Sequence, residues 1–470
     1  MYQHKTKKAK LITQFVIFIV LLIGAVVGAS QIGVVREFFG KAAGENANIH
    51  VYTSRVLGSY SKPWRNLAQG GEDHAWRMGS ITGAVKALNP EYIRIDHIYD
   101  FYDVVGGTDG NYTYDFSKLD LVLNDIAATG AKPYIALSYM PTQFTNGGDL
   151  VGKPTNYGNW QTVVQKTIQH VSGTRGISDV YYEVWNEPDL FGGWKYYGDK
   201  NYLDLYRSAA IAARNVSGAK PFKLGGPATT GFYKNWAEAL IKFASANKLK
   251  LDFISWHRYS NNLDVYKDDM LAMRTLAQKY PQYEGQLEFH ITEWGHDSEV
   301  QAGYDTGYSA AHTVAGAIEM TGVVERAFVF EIQDGKDPAG KEYWGRWGMF
   351  THNDFGAKAK PRYFALKMLD RISDQRVQLL GKGSWVKALA AKNSTTGNIE
   401  VVLANFDPKS QHSETVPILF EEITPGSYTI KKELNTGQIL TENVATTEAR
   451  LRVNLFMPTN SVGFVTLQKK

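Results

Sequence analysis

Val180-Tyr181-Tyr182-Glu183-Val184-Trp185-Asn186-Glu187-Pro188 opens as a strand and closes on a carboxylate. The β-branched and aromatic residues of Val180–Val184 suit a buried strand, and Pro188 rigidifies the turn that follows while removing a backbone donor. A second stretch of the same kind, Leu287–Ile291, runs into His290-Ile291-Thr292-Glu293-Trp294-Gly295. A carboxylate at the end of a buried strand beside a tryptophan is poorly solvated, and so expensive unless it has a use. Two of them, on strands far apart in sequence, can face each other across one pocket. That is the minimum equipment for cleaving a glycosidic bond: one carboxyl protonates the leaving oxygen, and the other attacks or stabilises the oxocarbenium-like centre.

Outward from these two strands, the chain alternates strand-like and helix-like segments. Strands are expected at Ile49–Val56, Tyr92–His97, Lys132–Ser138, Val180–Trp185, Phe222–Gly226, Asp252–His257, Leu287–Glu293 and Arg326–Ile332. Helical spacing falls between them. It is clearest at Phe116–Thr129, where Leu119, Val122, Leu123 and Ile126 share a face and Gly130 supplies the stop. Eight such alternations predict an α/β fold, a (β/α)8 TIM barrel over residues 49–374, with the two glutamates ending the fourth and seventh strands. A doubly wound sheet would need a glycine-rich phosphate turn after an early strand; Gly225-Gly226-Pro227 has the wrong spacing. From residue 375 to 470 short alternating runs separated by Asn, Gly, Pro and Asp turns predict a C-terminal β-sandwich domain. Asn48–Ser54 fits either unit, as a barrel strand or as a strand of that module.

The composition narrows the class. The 470 residues carry 51 basic and 47 acidic side chains, a net charge of +4 that offers no broad field to draw nucleic acid. The absence of cysteine excludes disulfides and every thiolate site. No metal or other cofactor is expected: there is no His-Glu-x-x-His, and the acidic loop Asp334–Glu342 lacks calcium-loop spacing. No Gly-x-Ser-x-Gly elbow points to a serine hydrolase. Residues 1–30 stand apart: Lys5, Lys7, Lys8 and Lys10 precede an apolar run, Leu11–Ala29, broken only by Thr13 and Gln14. The length approaches that of a transmembrane segment, and the lysines would hold the N-terminus cytoplasmic and the rest outside. The alternative is a secretory signal cleaved near Val27-Gly28-Ala29. Residues 31–48 read as a tether.

Further residues gather around the two glutamates. The Asn186 amide is placed to bind a sugar hydroxyl beside Glu187. His257 and Tyr259 follow the sixth strand, where the tyrosine hydroxyl could hold a carboxylate in its attacking orientation. Arg94 would set a cation beneath that carboxylate and keep it ionised; its plain alternative is an ion pair with Asp96 or Asp100. Tyr139, Trp294, Trp344 and Trp347 are candidates for stacking on a pyranose face, although each alone is more often packing.

At these residues the sequence resembles clan A retaining glycoside hydrolases, and within them family 39. Trp185-Asn186-Glu187-Pro188-Asp189-Leu190 is similar to that family's acid/base motif, Ala136-Leu137-Ser138-Tyr139-Met140-Pro141 to its third-strand signature, and Phe253-Ile254-Ser255-Trp256-His257 to its sixth. Gly348-Met349-Phe350, followed by Lys360-Pro361-Arg362-Tyr363-Phe364-Ala365, is similar to its approach to the eighth helix. The resemblance implies Glu187 as general acid/base, Glu293 as nucleophile and retention of configuration. The family usually ends strand eight with a sugar-facing tryptophan, whereas this strand reads Ala327-Phe328-Val329-Phe330-Glu331-Ile332-Gln333. The platform is therefore expected from Phe330, Trp344 or Trp347. The resemblance covers xylosidases, iduronidases and membrane-associated hydrolases linked to exopolysaccharide, and the N-terminal segment favours the last group, acting on an oligo- or polysaccharide outside the cell. The rival from another class is a catalytically dead, membrane-tethered glycan-binding protein.

Overall fold

The computed structural model describes residues 44–470 apart from positions 72, 75, 109, 284, 337, 338, 343 and 344. The run Leu11–Ala29 lies outside them; among the described residues no helix is long and apolar enough to cross a membrane. Eight strands close into a parallel barrel: β1 (Asn66–Gln69), β2 (Tyr92–Ile95), β3 (Lys132–Leu137), β4 (Val180–Val184), β5 (Phe222–Thr229), β6 (Phe253–Tyr259), β7 (Glu288–Gly295) and β8 (Arg326–Phe330). The helices between them follow the apolar spacing. Ser117–Thr129 buries Leu119, Val122, Leu123 and Ile126, and Gly130 stops it with φ 91°.

The first strand is a correction. Ile49–Gly58 does not enter the barrel: it pairs antiparallel with Gln375–Leu380 and parallel with Glu414–Glu421. The barrel starts instead at the four residues of β1, which pair with β8 on one side and β2 on the other. Asn66 and Gln69 are tolerated there because partners are at hand. The Asn66 amide donates to the Pro63 carbonyl at 3.0 Å, and that of Gln69 to the Gln333 carbonyl at 3.0 Å.

Alternation along the strands stacks the interior in layers. The lower layer is aromatic, with Tyr92, Tyr134, Tyr181, Phe253 and Phe328 packed together. Tyr134 stacks on Tyr181 with ring centroids 5.1 Å apart. Two residues further on, Arg94 and Glu183 form a fully buried ion pair at 2.7 Å. Two residues beyond Arg94, Asp96 reaches the mouth at the C-terminal ends of the strands, where Asn186, Glu187 and Glu293 also stand.

Apart from a hairpin of Val105–Thr108 with Asn111–Tyr114, the remaining strands make one nine-stranded ribbon in which Ile49–Gly58 sits third from one end, between Gln375–Leu380 and Glu414–Glu421. Its arms fold over a shared core of Val51, Ile418, Phe420, Val401 and Val465. They approach so closely that a Cβ on Gly463 would meet Leu455 Cδ2 at 2.7 Å. The outer face packs on the barrel: Leu389, Val402, Phe406 and Phe464 belong to the same core as helix Gly307–Met320.

Candidate active site

Beyond Val184 the chain turns sharply, with Trp185 and Glu187 both in left-handed backbone, φ 74° and 46°. A bulky side chain there is strained and must be held from outside. The Trp185 ring is caged by Tyr139, Trp194 and Trp160, at centroid separations of 5.2, 5.4 and 6.2 Å. Its Nε1 donates to the Phe191 carbonyl at 3.2 Å. From β5, the Ala228 carbonyl accepts the Glu187 N–H at 2.9 Å. These contacts hold the turn that carries Glu187.

Arg94 organises the opposite side. Its guanidinium donates from Nε to Glu183 at 2.7 Å, from Nη1 to Glu293 Oε1 at 2.8 Å and from Nη2 to Asn186 Oδ1 at 2.7 Å. The expected alternative, a pair with Asp96 or Asp100, is not formed. Asn186 passes the order on by donating from Nδ2 to the Tyr139 hydroxyl at 3.0 Å. Tyr259, two residues past His257 on β6 and so on the same side, donates its hydroxyl to Glu293 Oε2 at 2.8 Å. Both Glu293 oxygens are therefore engaged by donors that favour its ionised form.

His257 joins the two glutamates. Its Nδ1 is 2.7 Å from Glu187 Oε1 and 3.4 Å from Glu293 Oε2. Burial holds the imidazole below its ordinary pKa, so the ring carries a single proton. The buried Nε2 has no hydrogen-bond partner. A proton there would be an unsatisfied donor, which assigns it to Nδ1, donating to Glu187 Oε1. That leaves Glu187 Oε2 to carry an acidic proton.

Burial raises the pKa of Glu187 to about 8, with Asp189 adding to the effect. Burial also raises Glu293, to about 7, against the pull of His257 and Arg94. The order is what matters: Glu293 gives up its proton first because a cation and a phenol stand against it. One carboxyl oxygen of Glu187, one of Glu293 and one ring nitrogen of His257 lie within 4.8 Å of one another. The trio has metal-ligand spacing too, but both Glu293 oxygens already accept from Arg94 and Tyr259. The chemistry this set fits is proton transfer and nucleophilic attack.

The mouth opens as a cleft of 730 Å³ lined by Tyr139, Asn186, Tyr259, Phe330 and Trp347 as well as both glutamates, within the range of a saccharide site. Phe330 and Trp347 meet edge to face at 5.5 Å and make one aromatic wall. Trp294 is a correction. It is fully buried outside the barrel, 5.4 Å from Tyr266 and beneath Gly316, where a Cβ would meet its ring at 2.8 Å. Trp344 lies outside the described residues. Sequence reading missed Glu183, Asp96 and Asp189, and also Phe191 and Tyr233 on the rim. For the first two a signal existed: each shares strand parity with a residue that points inward, Glu183 with Tyr181 and Asp96 with Arg94.

A family model, glycosyl hydrolases family 39, matches residues 47–424. The chain belongs to that family. This family 39 protein is 26% identical over 395 residues to a beta-xylosidase of Caldicellulosiruptor saccharolyticus, covering 76% of this chain and 78% of that one. It is 24% identical over 295 residues to a beta-xylosidase of Geobacillus stearothermophilus, 56% of this chain and 57% of that one. Among solved structures, the family 39 enzyme from Xanthomonas axonopodis pv. citri superposes with a TM-score of 0.73 at 18% identity, over 90% of this chain and 98% of its own. A monomeric beta-xylosidase from Caulobacter crescentus superposes equally well, at 0.73 and 20% identity over 90% and 99%. These two likenesses establish the fold. Family and relatives together make the protein a glycosidase, which removes the non-catalytic reading.

Proposed function

We propose that the protein is a retaining glycoside hydrolase that cleaves β-type bonds in an extracytoplasmic polysaccharide by double displacement. Glu293 attacks the anomeric carbon while Glu187 protonates the departing oxygen; Glu187 then takes a proton from water, which releases the sugar with its configuration retained. The observation that carries the reading is the pair itself. One oxygen of each carboxyl lies within 4.8 Å of one on the other, an approach that supports direct attack over the carboxyl separation of about 6.5–9.5 Å that an inverting enzyme keeps for an intervening water. Their different surroundings support the division of labour.

A polymer is supported by the rim beside Glu187, where Leu190, Phe191 and Tyr233 line the cleft while 60%, 41% and 45% exposed. Apolar surface left in water at the mouth of a sugar site gives a continuing chain something to lie on. Export is supported by the basic start ahead of Leu11–Ala29. Protease added to intact cells should then digest the barrel, and protection of the barrel would rule export out. The second reading, a β-xylosidase acting on short glycosides, is favoured by the names of the two curated relatives. The deciding experiment is hydrolysis of a glycan and aryl-glycoside panel with Glu293→Gln as control, the first-formed anomer being read by NMR. Retained configuration and an inactive Glu293→Gln are expected; an inverted product would reject double displacement.

A further inference from the structure

Asp96 stands in the mouth without a use in the chemistry described so far. It is 7% exposed, it lines the cleft with Glu187 and Glu293, and its Oδ1 is buried with no hydrogen-bond partner. A buried carboxyl oxygen left without a donor is costly, and natural proteins keep such a group chiefly where something else supplies the donor. Its position is set by β2: Arg94 points inward, so Asp96, two residues on, also points inward and one layer higher. Its charge acts on both glutamates, adding to the burial that raises them. Gly70 and Gly71 lie against Phe330 and His97 so closely that a Cβ on either would meet those rings at 2.6 and 2.0 Å. Leu190 and Phe191, whose backbone N–H groups donate to the Glu187 carbonyl, line the same cleft with Tyr233.

The charge balance limits what the ring can carry. Among the described residues five carboxyl groups line the cleft, those of Asp96, Glu187, Asp189, Glu293 and Glu299, against the guanidinium of Arg258 and the imidazole of His97, whose Nδ1 is 2.7 Å from Asp100 Oδ2. Arg258 is held by both oxygens of Asp269, each at 2.6 Å. A sugar carboxylate would find carboxyls where it needs a cation, whereas sugar hydroxyls can donate to them.

We propose that Asp96 selects the sugar, accepting hydroxyls of a neutral glycone held against Glu293, so that glycosides of neutral sugars are hydrolysed in preference to uronides. The proposal rests on the reading of Glu293 as nucleophile.

The test uses the full chain and its Asp96→Asn, Asp96→Ala and Glu293→Gln variants. The substrates are the 4-nitrophenyl β-glycosides of xylose, glucose, galactose, mannose and glucuronic acid, with mono-deoxy forms of whichever neutral sugar is cleaved best. Asp96→Ala is expected to lower kcat/KM on that sugar by about ten- to hundredfold, the size of a hydrogen bond to a charged group. Asp96→Asn keeps the shape and guards against a folding defect. On one deoxy substrate, the one lacking the hydroxyl that Asp96 receives, the Asp96→Ala loss should shrink to less than about threefold, a coupling that a merely structural role would not produce. An equal loss on every deoxy substrate would overturn the proposal, and so would preferred cleavage of the glucuronide. Activity surviving in Glu293→Gln, or an inert panel, would instead overturn the proposed function, and the inference with it.

Discussion

Arg94 is the residue on which the site turns, because one guanidinium fixes Glu183, Asn186 and Glu293 together. Breaking such a fully buried ion pair from one side costs about 3–5 kcal/mol. Arg94→Ala should lose that much in a denaturant titration; a loss under 1 kcal/mol would show that the pair is dispensable. The glutamates predict the pH profile. On the proposed mechanism activity needs Glu293 ionised and Glu187 protonated, so kcat/KM should climb as pH passes about 7 and fall above about 8. The two limbs belong to the coupled pair rather than to either residue alone. With an activated aryl leaving group, Glu187→Gln should keep the first limb and lose the second; an unchanged alkaline limb would move the acid elsewhere. Stability follows by linkage. A carboxyl whose pKa is raised by folding, here from 4.5 to about 8 for Glu187, keeps a proton that the unfolded chain has released, so its contribution falls as pH rises between those values. The Tm of Glu187→Gln relative to the wild type should therefore be higher at pH 9 than at pH 5. At this scale the sequence was partly legible. Strand ends announced Glu187 and Glu293, and parity could have excluded Trp294, since neighbours along a strand point to opposite faces and Glu293 points in. The threefold grip of Arg94 was not legible, because it joins three strands whose mutual distances no local pattern encodes.

At the scale of elements, long periodic segments were readable and short ones were not. Helix Tyr202–Asn215 declares its buried face through Leu205, Tyr206, Ala209 and Ala213. Asn66–Gln69 declares nothing: four residues with polar ends read as loop, and only partners elsewhere in the chain make them a strand. Ile49–Gly58 has the opposite defect. Its alternation marks a strand clearly, yet alternation names no partner, and the segment fits a barrel edge or a sandwich equally well in sequence. Its true place makes a prediction. Val51 is fully buried within the nine-stranded sheet, next to Phe420 across the strand pair. Val51→Asp would bury an unpaired charge in the sheet core, although the position precedes the barrel entirely. The expected result is a chain that unfolds at markedly lower denaturant concentration, read by circular dichroism, while Arg55→Ala on the exposed part of the same strand changes little. A harmless Val51→Asp would place the strand outside the core of the sheet.

Over the whole molecule, the chain crosses between its two units twice. Ile49–Gly58 lies in the sheet, the barrel follows, and Gln375–Leu380 returns to pair with that first strand. The two strands flanking the barrel are thus bound to each other, so the barrel is an insertion closed at its neck by a β-ladder. The outer face of the sheet then covers helix Gly307–Met320, where Phe406 sits 5.1 Å from Tyr308 and 5.2 Å from His312. That helix is buried along almost its whole length, Ala310, Ala311, Val314, Ala315 and Ala317 included, so its outward side would be apolar surface in water without the sheet. Two units that share one core over this helix, and a neck, should not unfold independently. Calorimetry is expected to show a single transition, with Phe406→Ala losing about 3–5 kcal/mol from the molecule as a whole. Because Phe406 does not line the cleft, kcat/KM at 25 °C should stay at the wild-type value in the fraction that remains folded. Two resolved transitions in the wild type, with Phe406→Ala shifting only one, would make the sheet a separate passenger and would leave the barrel to hold Glu187 and Glu293 in place unaided.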